Sequence, residues 1–355
     1  MISLMRMITQ IARAKNEAGT MKPHTSATRP LLWPLVPAYR LGLALRELQL
    51  RSRLKPVRRL KWPVVSVGNL SAGGAGKTPL TIALARALMA RGLHIDVLSR
   101  GYGRRRHSVL PLLVDASGTA EDFGDEPLVI AREAEVPVYV AAERYEAGLV
   151  AERDAAERIG VHLLDDGFQH RQLARDVDIL LLSRSDLNDH LLPAGNLREA
   201  LHAAKRAQAI AIPADEPEVE AHLKAIGWQG IVWRIRRRME IPHVDGAVAA
   251  FCGIARPDQF FDGLERAGVK LAARTAFPDH YRYTTTDLER LASQARAAGA
   301  TSLFTTEKDR VRLGTLAASL PAALPLKTAR LRIEIEDEKA AVDWLMGRIE
   351  GRLRG

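Results

Sequence analysis

The chain has a single cysteine, Cys252, among 355 residues. That excludes internal disulfides and a thiolate metal cluster, and it fits a reducing compartment. Aromatic residues are scarce and aliphatic ones dominate, an ordinary composition for a soluble chain. No uncharged apolar run reaches the roughly 18 residues that span a bilayer. The best candidate, LLWPLVPAYRLGLAL, is interrupted by Pro34, Pro37 and Arg40. The chain is therefore expected to lie on a membrane rather than cross it. The first 28 residues lack a small-residue cleavage site behind a clean apolar core, so no secretory signal is expected, and Met21 is an alternative start to Met1. Internal repeats and low-complexity tracts are absent.

Acidic residues are missing from one region only. The net charge is +10, yet in residues 1–62 thirteen Lys and Arg face only Glu17 and Glu47, which leaves +11 there and −1 for the rest. The basicity is thus local. Basic residues alternate with leucines in RLGLALRELQLRSRLKPVRRLK, Arg40 to Lys61, which reads either as a membrane-surface helix or as a solvated helix packed on its own domain. A nucleic-acid binder would spread such charge over a folded face, so no nucleic-acid partner is expected.

Beyond Lys61, short β-rich runs alternate with helical ones. WPVVSVGN, HIDVLSR, VPVYVA, VHLLDD and DVDILLLS read as strands, while TPLTIALARALMARG, DEPLVIAREA and RYEAGLVAERDAAERIG read as helices. That alternation implies parallel strands joined by crossover helices. The stretch from AIAIPADEPEVE to PHVDG loosens into charged and turn-forming residues, and a boundary is placed there. A second α/β set follows, from GAVAAFCGI to the last helix after LRIEIE. The fold class is α/β: a P-loop NTPase-like, doubly wound, mainly parallel sheet, preceded by an N-terminal amphipathic membrane-surface helix and followed by a smaller α/β C-terminal domain. The expected domains are 1–62, a tail with the basic segment; 63–235, the P-loop domain; and 236–355, the smaller domain.

NLSAGGAGKTPL, Asn69 to Leu80, joins a strand to a helix. A phosphate cradle needs inward backbone N–H groups, glycines that permit that path, a lysine for the terminal phosphates and a hydroxyl for Mg²⁺. Gly73, Gly74, Gly76, Lys77 and Thr78 supply these, with Ser71, Ala72 and Ala75 completing the loop at a helix N-terminus that favours an anion. Ser71 stands where the strict pattern has its first glycine. The deviant lysine of partitioning ATPases is absent, since Ala72 occupies its place, and TTEKD, Thr305 to Asp309, is a poor guanine-specificity motif because Lys and Asp are adjacent. ATP is the expected ligand.

In VHLLDDGFQHR a strand ends in Asp165-Asp166, a carboxylate pair at the sheet edge where open α/β folds bind ligands and Mg²⁺. FGDEP puts Asp125 and Glu126 where a loop enters a helix, either as an acidic first turn or as a carboxylate that accepts a sugar hydroxyl proton. SRGYGRRR reads either as a basic turn or as a cluster of hydroxyls, a tyrosine face and arginines suited to a phosphorylated sugar. PAGNLRE groups Asn196, Arg198 and Glu199, and FPDHYRY places Asp279 and His280 after a strand.

In order and together, VGNLSAGGAGKTP, SRGYGR, GDEP, LLDDGFQHR, PAGNLRE, CGIARPDQFF, FPDHYRYTTTDL and TTEKD resemble the tetraacyldisaccharide 4′-kinases of lipid A assembly, from about Pro34 to the end of the second domain. The resemblance implies transfer of the γ-phosphoryl of ATP, with Mg²⁺, to the 4′-hydroxyl of tetraacyldisaccharide 1-phosphate. It also implies a peripheral place at the cytoplasmic face of the inner membrane of Gram-negative bacteria. Lys77 and Thr78 would bind phosphates and Mg²⁺, and Asp166 would join the metal shell beside Asp165, with Glu126 and Glu199 near it. Asp125 would be the catalytic base, paired with His280, and Arg198 would meet the transferring phosphate. Asn69, Arg100, Tyr102, Gln169, His170 and Asn196 would meet the substrate. Tyr281 stands where many relatives carry a second histidine. Since His280 falls in the expected second domain, domain closure is expected to assemble the Asp125–His280 pair. The rival readings are a nucleic-acid-associated P-loop ATPase and a membrane-bound adaptor with a vestigial nucleotide site.

Overall fold

The computed structural model describes residues 29–52, 56–73, 76–105, 108, 110–156 and 158–353. Helix α1, Val36–Arg51, is followed by β1, Val64–Asn69, and α2, Lys77–Met89. Then come β2, His94–Ser99; β3, Leu112–Leu113; α3, Asp125–Ala134; β4, Val138–Val140; α4, Arg144–Asp154; β5, Gly160–Asp165; and β6, Val177–Leu181. The chain continues through β7, Ala209–Pro213; α5, Pro217–Ala225; β8, Ile231–Glu240; β9, Val248–Cys252; α6, Pro257–Arg266; and β10, Leu271–Ala276. It ends with α7, Thr285–Ala297; β11, Ser302–Thr306; α8, Glu307–Leu313; β12, Leu326–Ile335; and α9, Glu338–Leu353.

Two compact units interleave along the chain. One comprises the described parts of 1–77, 157–236 and 335–355, and the other those of 78–156 and 237–334. In the first, strands run in the order β8-β7-β6-β1-β5, all parallel. Every residue of β1, β5, β6 and β7 is buried, which is why these segments read as unbroken apolar runs rather than alternating ones. Phe168, Leu180 and Ile210 sit at the centre of the core, and Val36 and Tyr39 of α1 pack into it. In the second unit, β10-β9-β11-β12 are parallel, and β2 pairs with β4 in parallel while β3 closes that group antiparallel. Phe251, Leu288 and Leu303 centre one core there.

Two expectations need correcting. The stretch read as loosened is a complete β7–α5–β8 unit. Its charges misled because they occupy solvent faces, as in β8, where Trp233 and Ile235 are buried while Arg236, Arg237 and Arg238 are exposed. The basic helix starts at Val36, four residues before the basic alternation, and stops at Arg51 with Ser52 as its C-cap.

Candidate active site

The first unit places the phosphate-loop lysine against the strand-end carboxylate. Strand β1 delivers Asn69 and Ser71, both buried, to the loop. Gly73 and Gly76 adopt φ of 111° and 94°, a backbone region that costs other residues dearly; Gly74 and Ala75 lie outside the described residues. Lys77 opens α2 with Thr78 next to it, and both are buried. The turn after β5 fits tightly under β1: a Cβ on Gly68 would lie 2.5 Å from the Cβ of Phe168, so only glycine lets the Asp165-Asp166-Gly167-Phe168 turn approach. Asp166 takes φ of 54° there, a left-handed conformation that Asp tolerates better than most residues.

Arg198 then ties the pieces together. Its Nη1 and Nη2 donate to Asp166 Oδ2 and Oδ1 at 2.9 and 2.8 Å, a bidentate fork. Nη2 also donates to Asn69 Oδ1 at 2.7 Å and Nε to the Ser71 carbonyl at 3.3 Å. Lys77 Nζ stands 3.6 Å from Asp166 Oδ1. Two cations thus converge on a carboxylate that remains one-third exposed. Lys77, Asn69, Ser71, Asp166 and Arg198 are therefore brought together. Gln169 joins them structurally, donating to the Asn69 carbonyl at 2.9 Å, while the Ala72 amide donates to the Asn196 carbonyl at 2.7 Å.

The second unit builds a different carboxylate. Asp125 is the first residue of α3, and Gly124 before it has φ of 93°. A Cβ at Gly124 would lie 2.8 Å from the Tyr102 carbonyl, so glycine lets the SRGYG loop rest on the start of α3. Asp125 is almost fully buried, its side chain 4% exposed. His280 Nδ1 is 3.2 Å from Asp125 Oδ2. The Asp125–His280 pair needs no domain closure to form, because both residues belong to this unit. His280 also adopts φ of 60°. Strained non-glycine residues concentrate at functional sites, and two of the four described here are Asp166 and His280. The Tyr102 ring lies 5.3 Å from that of His280, edge-on.

Arg312 is a partner that the motifs did not announce. Its Nε donates to Asp125 Oδ2 at 2.8 Å, Nη2 donates to the same oxygen, and Nη1 donates to Asp309 Oδ1 at 2.9 Å. Burial opposes ionisation of Asp125, but the His280 hydrogen bond and the Arg312, His280 and Lys308 charges outweigh it. The carboxyl is held well below the usual carboxylate range. Burial pulls His280 down, yet Asp125 and Asp279 pull harder, so its pKa ends above the ordinary value. Lys308, one turn before Arg312, reaches Glu126 Oε1 at 2.5 Å. The signal for both cations was the i, i+4 spacing of EKDRVRL, which puts them on one helix face. Thr306 of TTEKD is the N-cap of α8: its side chain accepts from the Asp309 amide, and Asp309 Oδ2 accepts from the Thr306 hydroxyl at 2.6 Å.

Other expected residues lie in local networks. Glu199 accepts from Arg206 Nη1 at 2.7 Å, and Asn196 Nδ2 donates to Asp189 Oδ2 at 2.7 Å. Arg175 Nη1 donates to the His170 carbonyl at 3.2 Å, and Arg100 is exposed. Among the described residues, no group of three or more His, Cys, Asp or Glu side chains is arranged to hold a metal ion. Mg²⁺ takes most of its ligands from water and phosphates and needs only one or two carboxylates. The buried Asp165, the half-open Asp166 and the Thr78 hydroxyl are hard oxygen donors of that kind, so the residues present fit such an ion.

Comparison with known proteins agrees with these motifs. The family description "Tetraacyldisaccharide-1-P 4'-kinase" (LpxK) matches residues 28–350. A tetraacyldisaccharide 4′-kinase of Koribacter versatilis is 42% identical over 90% of this chain and 99% of its own, and that of Desulfotalea psychrophila is 34% identical over 86% and 93%. The crystal structure of LpxK from Aquifex aeolicus in complex with ATP is similar over 90% of this chain and 99% of its own, with a TM-score of 0.68 and 30% identity. The chain accordingly belongs to the tetraacyldisaccharide 4′-kinase family and is an enzyme, a kinase of lipid A biosynthesis.

Proposed function

We propose that the chain moves the γ-phosphoryl group of ATP to the 4′-hydroxyl of tetraacyldisaccharide 1-phosphate, forming the 4′-phosphorylated lipid A precursor and ADP. The observation that carries this reading is the presence of two differently prepared carboxylates, Asp166 beside the loop lysine and Asp125 beside His280. Phosphoryl transfer has a loose transition state, so positioning and charge neutralisation supply most of the catalysis. Lys77 and Arg198, now on Asp166, are the cations that turn to the β- and γ-phosphates. Asp165, Asp166 and Thr78 would hold Mg²⁺, which when bound neutralises charge on those phosphates. Asp125 accepts the 4′-hydroxyl proton as the new O–P bond forms, and the bond from the γ-phosphorus to its bridging oxygen breaks to release ADP. His280 orients Asp125 and stabilises its charge. Tyr102 and Arg100 meet the sugar.

The acyl chains need an apolar surface, and α1 with the residues before it offers one. Leu31, Trp33, Leu35, Leu41 and Leu48 are exposed, while Val36 and Tyr39 anchor the helix to its unit. Among the described residues no helix is long and apolar enough to cross a membrane. The exposed leucines and Trp33 support peripheral attachment, which we place at the cytoplasmic face, where ATP is available. The test is transfer of γ-labelled phosphate from ATP to the lipid in detergent micelles. Labelled lipid that disappears with Lys77→Ala supports the reading, and ATP hydrolysis without labelled lipid contradicts it.

A further inference from the structure

The two cations that hold the Asp125-Glu126 turn come from one short helix. Lys308 reaches Glu126, and Arg312 reaches Asp125. Arg312 is the more constrained, its side chain only 6% exposed. Its planar fork serves Asp125 Oδ2, Asp309 Oδ1 and the Gly253 carbonyl, and its Nη2 lies 3.3 Å from His280 Nδ1. Asp309 is fully buried and fixed in turn, accepting from the Tyr283 hydroxyl at 2.9 Å and the Gly253 amide at 3.1 Å. An unbroken run of buried bonds therefore leads from the end of β9 to the carboxylate of Asp125. The other oxygen, Asp125 Oδ1, accepts the Glu126 amide at 3.0 Å, so both carboxylate oxygens are held.

Taking the chain as the 4′-kinase argued above, we propose that Arg312 is a positioning residue for the transfer step, fixing Asp125 and His280 as one unit toward the acceptor hydroxyl, with Lys308 its lesser companion. An arginine beside a base weakens its proton affinity, which would handicap a reaction that demands a strong base. In a loose transition state the hydroxyl needs aiming more than deprotonating, and a misplacement of about 1 Å costs on the order of 100-fold in rate. Lysine replaces the fork only in part, because it offers a point charge rather than a planar set of donors.

The test measures labelled transfer to tetraacyldisaccharide 1-phosphate by Arg312→Met and Arg312→Lys, each alone and in the Asp125→Ala background, with thermal melting of every variant. Arg312→Met is expected to lower kcat on the order of 100-fold while KM for ATP stays within about twofold, and Arg312→Lys to lower it about tenfold. Both effects are expected to vanish in the Asp125→Ala background, since a residue acting through Asp125 has nothing left to position. An unchanged kcat, or the same loss in both backgrounds, overturns the proposal. Should Arg312→Met not fold, Arg312→Lys carries the same comparison, and the same outcomes support or overturn the proposal. Wild-type protein that labels no lipid overturns the kinase reading and this proposal together; labelled lipid with indifferent Arg312 variants overturns the proposal alone.

Discussion

Asp166 and Asp125 are both carboxylates at element ends with cations upon them, yet their surroundings differ. Asp166 is one-third exposed, and the cations on it sit on a loop-helix junction and a loop turn. Asp125 is 4% exposed and its cation, Arg312, is locked by Asp309 and Gly253. The exposure of the carboxylate itself is what differs: Asp166 keeps contact with water and retains a second cation if one turns away, whereas breaking the Asp125–Arg312 pair leaves an uncompensated buried charge at large cost. Under the proposed function, the first arrangement suits cations that turn to a phosphate and the second a base held in place.

The largest expected effects test this contrast from both sides. Lys77→Ala and Asp125→Ala are each expected to reduce labelled transfer about 1,000-fold or more, but for different reasons. Lys77→Ala should leave the melting temperature nearly unchanged, while Asp125→Ala, which strands Arg312, should lower it measurably in differential scanning calorimetry. Arg198→Met comes next, with a loss of about 100-fold in kcat/KM and a lowered melting temperature, because it removes the donor to Asp166, Asn69 and the Ser71 carbonyl.

Acid stability reports on the buried pair. The pKa of Asp125 is depressed in the folded state, so its stabilising contribution is complete above the ordinary carboxylate range of about 4 and is lost as pH falls through that range and below. His280 is raised, so its contribution is complete below about 6.5 and fades as pH rises through its folded-state value. Denaturant melts across pH are expected to show both limbs. Asp125→Asn should flatten the acid limb and His280→Gln the upper one, and an unchanged acid limb in Asp125→Asn would count against the buried ion pair. The smallest effect belongs to Glu126→Gln, whose Lys308 partner is about one-quarter exposed: less than tenfold in kcat, read in the same transfer assay.

Much of the first site was legible in the chain because its parts are local. The glycines, Lys77 and Thr78 fall in one loop, and Asp165-Asp166 close one apolar strand, so strand-to-helix context alone assembles the motif. The β7–α5–β8 region was illegible because Arg236, Arg237 and Arg238 face solvent, which hides a strand from any reading of apolar runs. Asp125 could not be told from a helix cap by its neighbours, since an acidic first turn is what a helix dipole favours anyway. Its real partner is 187 residues away, and no local pattern encodes that distance. The TTEKD stretch shows the same limit from the other direction: Asp309 sits in the first turn of α8, capped by Thr306, and anchors Arg312, and its spacing to Lys308 has no bearing on base recognition.

The most direct measurement of the central claim is single-turnover transfer of γ-labelled phosphate to tetraacyldisaccharide 1-phosphate by the unaltered protein and by Asp125→Asn, a substitution that keeps shape and removes charge. The account predicts labelled lipid from the first, with the rate of the second lower by about 1,000-fold at unchanged ATP affinity. Equal rates for the two proteins would contradict it.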